Sequence, residues 1–466
     1  MLLTLGIIAA LYIGILVLLA MKSRSQEKSS KQYLMGGSSI GAVLGFFTFA
    51  ATLFSTFTLL GMPDFFRQHG VGAWIFLMIS DAVMVFGIVW LGYELRKRAR
   101  EKEYLGMAGF LQEAYQSKFA GIVAFGGAFI FLVPYVAIQI RGVATFFHAA
   151  FPQAIPVWGW AVIMVVIMIV YSEVGGLKAI MYSDVLQGIL LLIAIWIVGY
   201  NCLEHFGGMR EMFAEVAEKN EALLSTPGPK GLFNFQFLLG SMLAIALLPY
   251  TQPQISTRLV IMKDVKSLHR MAVGIGFFAI LVILPTAFMG MYGAILYPDA
   301  STPEYLNLMF IKDQANIIGA IVMVGLLAAA ISTSDSQIFA LGAEMRSILK
   351  GRDEEMVKIA RIAIMIFALV ALVFALLSSN ELVALARTSF AGTSLLAPMI
   401  FVGIFHKKAA ALKLLPIATM IGILLFVASQ FNLPGIPTNL LGIRMDLFIL
   451  LILSILAIIL SRLNKS

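Results

Sequence analysis

Cysteine occurs once in the 466 residues, at Cys202, and charged residues make up only 12% of the chain. A single thiol excludes an internal disulfide and any metal site built from several cysteines. The shortage of charge excludes more. A soluble domain carries about 25% charged and 45–50% apolar residues, whereas 60% of this chain is hydrophobic and its mean hydropathy is +0.94. A soluble chain of this length needs two or three domains with polar surfaces, and the residues to build them are missing. The surrounding medium is therefore largely lipid. No nucleophile, metal triad or acid–base cluster with recognisable spacing occurs, which argues against a membrane enzyme.

The formal charge is +8, yet no basic stripe suited to nucleic acid is formed. Basic residues sit instead in short tracts between apolar runs. A span needs roughly 20 apolar residues and must be a helix or part of a closed barrel; continuous runs exclude the alternation of a barrel strand. About thirteen helices are expected, over 2–21, 40–66, 74–94, 119–148, 154–173, 181–204, 236–259, 271–297, 316–347, 358–378, 383–406, 411–431 and 444–462. The first run lacks a positive n-region and a small-residue cleavage site, so an uncleaved span is expected rather than a signal peptide.

With the N-terminus outside and the C-terminus cytoplasmic, twenty-five of the 33 basic residues fall in cytoplasmic connections or at the C-terminus, and six in outer connections. That bias obeys the positive-inside rule. Arg24, Lys28, Lys97, Arg258, Lys263, Lys358 and Lys465 are among those counted inside. The polar stretch from Gly207 to Lys230 is expected to cap the outer face with a short amphipathic helix. The chain ends at Ser466, soon after the last run, so an attached kinase is not expected.

Three stretches are too polar or too broken to face lipid. The first holds Thr48, Thr52, Ser55, Thr56 and Thr58, with Gly61 and Pro63 as breakers. The second, within the seventh run, has Pro249 and Pro253 one turn apart, and each proline removes a backbone hydrogen bond. Setting the first run aside as peripheral, these become the first helices of two five-helix halves, over 40–204 and 236–406, with 411–462 as two peripheral helices. Broken helices at matching positions point to an inverted-repeat transporter. The third, in the ninth run, places Ser332, Asp335 and Ser336 on one helical face. Hydroxyls and a carboxylate at membrane depth are hard donors suited to a hard cation; a structural polar patch between helices is the plainer alternative.

The stretch from Tyr171 through Gly175, Gly176 and Leu177 to Tyr182, Ser183, Asp184 and Gln187 resembles the signature of the sodium:solute symporter family. That resemblance extends over nearly the whole chain. It implies an all-α polytopic protein of the leucine-transporter type, a 5+5 inverted repeat with one extra helix before and two after it, working by alternating access in the cell membrane. It also implies Na+ as the coupled ion. Aligning the family's tetrad with Gly61-Met62-Pro63-Asp64 assigns carbonyl ligands to Ala51 and Phe54. The eighth core helix then supplies the Ala329 carbonyl and the Ser332 and Thr333 hydroxyls. Asp184 resembles the aspartate that receives departing sodium, and with Asp335 and Ser336 marks a second sodium or exit site. Some members carry a serine where this chain has Asp335. Leu53 stands where the proline transporters carry an aspartate, which argues against their mode of substrate binding.

Gln139 and Arg141 lie in the third core helix. An arginine within a span suits a carboxylate through bidentate hydrogen bonds; a structural pair with a helix end is the alternative. The expected cargo is a small carboxylate-bearing solute such as an amino acid, a monocarboxylate or a sialic-acid-like compound. Thr52, Ser55, Thr56 and Thr58 are expected to line its pocket with Gln139 and Arg141. Arg387, near the outer end of its helix, reads as a gate or interface residue. Partners beyond the solute and the lipid bilayer, whether nucleic acid or protein, are not implied. A proton-coupled carrier of the same fold and a transporter-like sensor domain are the rival readings.

Overall fold

A computed structural model describes residues 2–23, 30–36, 39–102, 104–378 and 382–464. Arg24, Lys28 and Lys465, counted in the charge bias, lie outside the described residues, as do the side chains of 171–175 in the signature stretch.

The described residues fold almost entirely as helices. They begin with α1 (Leu2–Ser23), α2 (Ser30–Met35), α3 (Ala42–Leu53), α4 (Met62–His69), α5 (Ser80–Glu101), α6 (Met107–Ala114), α7 (Lys118–Ala150) and α8 (Val157–Glu204). After α9 (Met209–Asn220) come α10 (Phe235–Thr251), α11 (Pro253–Val260), α12 (Val265–Leu296), α13 (Thr302–Asn307) and α14 (Asn316–Ile348). The chain closes with α15 (Asp353–Leu377), α16 (Leu382–Ser394), α17 (Ala397–Phe405), α18 (Leu414–Gln430) and α19 (Met445–Leu463). Among the described residues, eight helices are long and apolar enough to cross a bilayer. Two bent pairs qualify as broken spans, and α1, the first part of α8, and α18 are shorter apolar helices. Large apolar side chains such as Phe86 (76% exposed) and Trp90 (79%) point outward. Water does not tolerate such a surface over so much of a protein; lipid does. The protein is a multi-pass membrane protein.

The two bent pairs are α3–α4, at 55°, and α10–α11, at 56°. The second follows directly from sequence. Pro253 disfavours a helical conformation in the residue before it, so Gln252 is extended (φ −104°, ψ 115°) and Pro253 then opens α11. The first bend differs from expectation. The chain leaves the helix at Phe54 (φ −91°, ψ 118°) rather than at Gly61 and Pro63. Gly61 is helical, and a π-helical stretch over Phe57–Gly61 runs straight into Pro63. The wider π turn shifts the hydrogen-bond register where the proline lacks a donor.

The runs 154–173 and 181–204 are two helices, as expected: α8 is divided where Gly176 leaves the helical conformation at φ 59°, a positive value that glycine adopts without steric penalty. Two other placements depart from expectation. The run 383–406 is divided between α16 and α17 by a turn at Leu395–Leu396, ahead of Pro398. Arg258, counted as a loop cation, is 1% exposed inside α11. The expected amphipathic helix within Gly207–Lys230 is α9, which buries Met212 and Val216 one turn apart.

At the end of the bundle where α3 begins, the pieces are laced by backbone groups. Ile40 pairs with the strand-like residues after α11 through Ile40 N to Ile261 O (3.0 Å) and Lys263 N to Ile40 O (2.9 Å). Arg96 Nε adds a bond to the Met262 carbonyl at 2.8 Å. At the same end, Glu344 of α14 accepts from the amides of Met107 (2.7 Å) and Ala108 (2.5 Å) at the start of α6.

Candidate functional site

The break after α3 leaves amide donors without helical partners, and side chains take them up. Ser55 N donates to Thr58 Oγ1 (3.0 Å), Thr56 N to Gln139 Oε1 (3.0 Å) and Phe57 N to Ser55 Oγ (3.2 Å). This is the work of N-cap residues at a helix start. Gln139 Nε2 is anchored in turn on the Tyr135 carbonyl. Of the residues expected to line a solute pocket, Ser55, Thr56, Thr58 and Gln139 are thus brought together, with three side chains engaged in holding the break open. The Thr56 hydroxyl has no hydrogen-bond partner among the described residues.

Thr52 and Arg141 lie elsewhere. Thr52 Oγ1 donates to the Thr48 carbonyl (2.7 Å) and approaches Ser336 Oγ (3.1 Å), on the α14 side. Arg141 turns to the far end of α15, where Nη1 donates to the carbonyls of Ala375 (3.1 Å) and Leu376 (3.3 Å). A cation at a helix C-terminus complements its dipole, which is the helix-end alternative for this residue.

The other side of the break faces α14. Ser332 Oγ lies 3.0 Å from the Ala51 carbonyl oxygen, and Thr333 Oγ1 donates to the same oxygen at 3.3 Å. Three of the five expected sodium ligands therefore meet at one point. Phe54, extended at the end of α3, turns its carbonyl out of the helical ladder, whereas Ala329 lies one turn before Thr333 inside α14. These are neutral hard oxygens on two elements, one of them broken, an arrangement that suits a monovalent hard cation.

Asp184 in α8 is completely buried and lies beside this cluster. It accepts from Ser332 Oγ (2.6 Å) and Thr48 Oγ1 (2.5 Å), and Arg258 Nη2 stands 3.7 Å away. Arg258 also donates to Ser336 Oγ (2.8 Å) and the Gln254 carbonyl (3.1 Å). The sequence reading missed Arg258, because a basic residue just before Lys263 and Lys266 reads like the cytoplasmic tract after a span. The prolines in α10–α11 were the available signal, since they place its turn inside the membrane.

Asp335 shares the α14 face with Ser332 and Ser336 but not their hydrogen bonds. Neither of its carboxylate oxygens has a partner among the described residues, although it is fully buried. Gln187, from the signature stretch, donates to the Tyr12 hydroxyl of α1 at 3.0 Å, and its own carbonyl is likewise without a partner. Buried polar atoms of this kind are rare and call for an explanation.

A cavity of about 1380 Å³ opens at the opposite end from Ile40, between the ends of α4 and α18 and the starts of α10, α16 and α19. Its lining includes Leu60 and Gly61, one turn beyond the break.

Residues 33–413 match the Sodium:solute symporter family. The high-affinity proline transporter of Bacillus subtilis (strain 168) is 25% identical over 81% of this chain and 82% of its own length. The sodium/pantothenate symporter of Haemophilus influenzae is 22% identical over 66% of this chain and 63% of its own. A solved structure of a Na+-coupled sialic acid symporter, in a substrate-bound outward-open state, superposes with a TM-score of 0.80 at 15% identity, covering 99% of this chain and 97% of that one.

Proposed function

The chain belongs to the sodium:solute symporter family, and from that premise we propose how it holds sodium and what class of solute it carries. It is a transporter, not an enzyme, and it couples the symport of a small solute to sodium. Its helices take the leucine-transporter-type fold.

Sodium, as co-transported cargo, lies between the end of α3 and the middle of α14. Its ligands are the carbonyls of Ala51, Phe54 and Ala329 and the hydroxyls of Ser332 and Thr333. The observation that carries this reading is the convergence of both hydroxyls on the Ala51 carbonyl, at 3.0 and 3.3 Å. To ligate sodium the two hydroxyls turn lone pairs toward the ion. Asp184 then serves as the next station toward the Ile40 end, with Ser336 and Asp335 beside it as a second sodium or exit site. Arg258 bridges Asp184 and Ser336, which puts a fixed cation at the same station. Like charges repel, so an arriving ion must displace Arg258 or share Asp184 with it.

The solute binds around the break itself, near Thr56. A half-helix that starts there directs the positive end of its dipole at the solute, which suits a carboxylate. Proline, pantothenate and sialic acid, named for the similar proteins, each bear one. Leu53 leaves this chain without an acidic group beside that position. The two halves, 40–204 and 236–406, act as the inverted repeats, and thirteen spans follow if the three shorter apolar helices also cross. The cavity end then faces outside with the α1 N-terminus, and the C-terminus is cytoplasmic.

The solute class is tested by thermal stabilisation of the purified protein in sodium chloride and in choline chloride. Proline, pantothenate and N-acetylneuraminate are compared with prolinamide and panthenol. Sodium-dependent stabilisation by an acid, lost in its neutral counterpart, is expected. Equal stabilisation by acid and neutral counterpart overturns the carboxylate reading.

A further inference from the structure

We infer that Arg387 and Arg444 form a carboxylate-binding site in the cavity, an entry station that the solute occupies before it descends to the broken helix. The inference rests on the carboxylate reading of the cargo. Five ionisable side chains line the cavity: Asp64, His69, Arg387, Arg444 and Asp446. Both acids are already satisfied. Asp64 pairs with Arg67 at 2.7 Å and accepts from Gln68 and Thr302. Asp446 takes a two-pronged pairing from Arg444, at 3.1 and 2.6 Å.

Positive charge is left over. Among the described residues Arg387 has no hydrogen-bond or ion-pair partner, and its guanidinium lies 5.5 Å from the centre of the Phe237 ring. Arg444 approaches the same ring at 5.9 Å, and its Nη1 is buried without a partner. Two guanidiniums therefore approach one aromatic ring, and the one carboxylate bonded there, Asp446, is taken by Arg444. An arginine in an apolar helix is costly unless paired, and a ring face compensates by only about 0.5–2 kcal/mol.

A second carboxylate completes this arrangement. Its planar oxygens match a guanidinium fork, and Phe237 offers an apolar face to the rest of a small organic acid. The cavity is far larger than proline, which marks it as a place of passage rather than the final pocket. Leu60 and Gly61 also line the cavity, so a path from Arg387 leads toward Thr56.

The test uses Thr388→Cys, a cavity-lining position next to Arg387; native Cys202 is buried and adds little background. In phosphatidylcholine proteoliposomes, alkylation rates by iodoacetate and by iodoacetamide are compared, each relative to free cysteine. The two reagents differ in a carboxylate. An enrichment of about tenfold for iodoacetate is expected. It should fall to about one in Arg387→Gln and persist in part in Arg387→Lys. No enrichment, or enrichment that survives Arg387→Gln, overturns the site. In phosphatidylcholine, enrichment abolished by soluble glycerol 3-phosphate but not by equimolar acetate at matched ionic strength assigns the site to a lipid headgroup and overturns the entry station. Neither reagent is the cargo, so a neutral solute in the stabilisation screen would sink the carboxylate cargo while the alkylation ratio separately decides the site.

Discussion

The Ser332 and Thr333 hydroxyls have different partners, and that difference predicts how each loss behaves. Both hydroxyls are proposed sodium ligands that truncation to alanine removes, and a contact to a charged group contributes about 1.5–3 kcal/mol. Ser332 also donates to Asp184 at 2.6 Å, a bond its single proton can keep while its lone pairs face sodium, so Ser332→Ala removes a sodium ligand and an Asp184 donor together. Loss of the ligand raises the sodium concentration for half-maximal uptake by about tenfold or more. Loss of the donor shows as lowered thermal stability in choline chloride, because Asp184 stays buried with one donor fewer. Thr333 has only the Ala51 carbonyl, at 3.3 Å, as its acceptor among the described residues. Thr333→Ala should therefore raise the sodium requirement by about 10–100-fold with little change in stability, and Thr333→Ser should restore it. Sodium-dependence curves of solute uptake in proteoliposomes provide the measurement. Half-saturation within about twofold of wild type for both alanine variants, or a serine variant as impaired as the alanine one, would refute the cage.

Other positions give separate tests. A Cβ on Gly142 would fall 2.5 Å from the Thr56 methyl, so Gly142→Ala displaces Thr56 and should raise the KM for solute by about tenfold while sodium half-saturation holds; an unchanged KM would place the solute elsewhere. Glu344→Ala strips the acceptor from the Met107 and Ala108 amides, and hydrogen exchange at those two amides should quicken by about 10–100-fold. Asp264 caps α12 by accepting from Ser267 N at 2.6 Å, and that bond holds its carboxyl below the ordinary 3.8. A lowered folded value gives stability that is present above about pH 4 and lost as the pH falls through it. Asp264→Asn keeps the cap, and its thermal unfolding should lose that acid-side component.

Much of this was legible from residues alone, and the gaps have physical causes. The α10–α11 break is readable because Pro253 forces Gln252 out of the helix wherever the segment lies. The α3 break is not, because Phe54 carries no intrinsic breaker; its extended conformation is supported by Thr58, Ser55 and Gln139, the last from a helix more than eighty residues away. Pro63 misled for the complementary reason, since a π turn absorbed it. The meeting of Ser332 and Thr333 with Ala51 was anticipated through family resemblance; local periodicity places the hydroxyls on one helix but cannot say what faces them. Arg258 was hidden because charge alone does not separate a cation flanking a span from one buried against Asp184. Arg141 and Arg387 look alike in sequence, and only the ends of α15 and the ring of Phe237 separate them.

The central claim is that sodium bound between α3 and α14 drives the solute. Uptake into proteoliposomes under a sodium gradient at equal pH, and under a pH gradient without sodium, tests it most directly. Accumulation should follow the sodium gradient and disappear in the Ser332→Ala/Thr333→Ala double variant; accumulation that ignores sodium and tracks the pH gradient would contradict it.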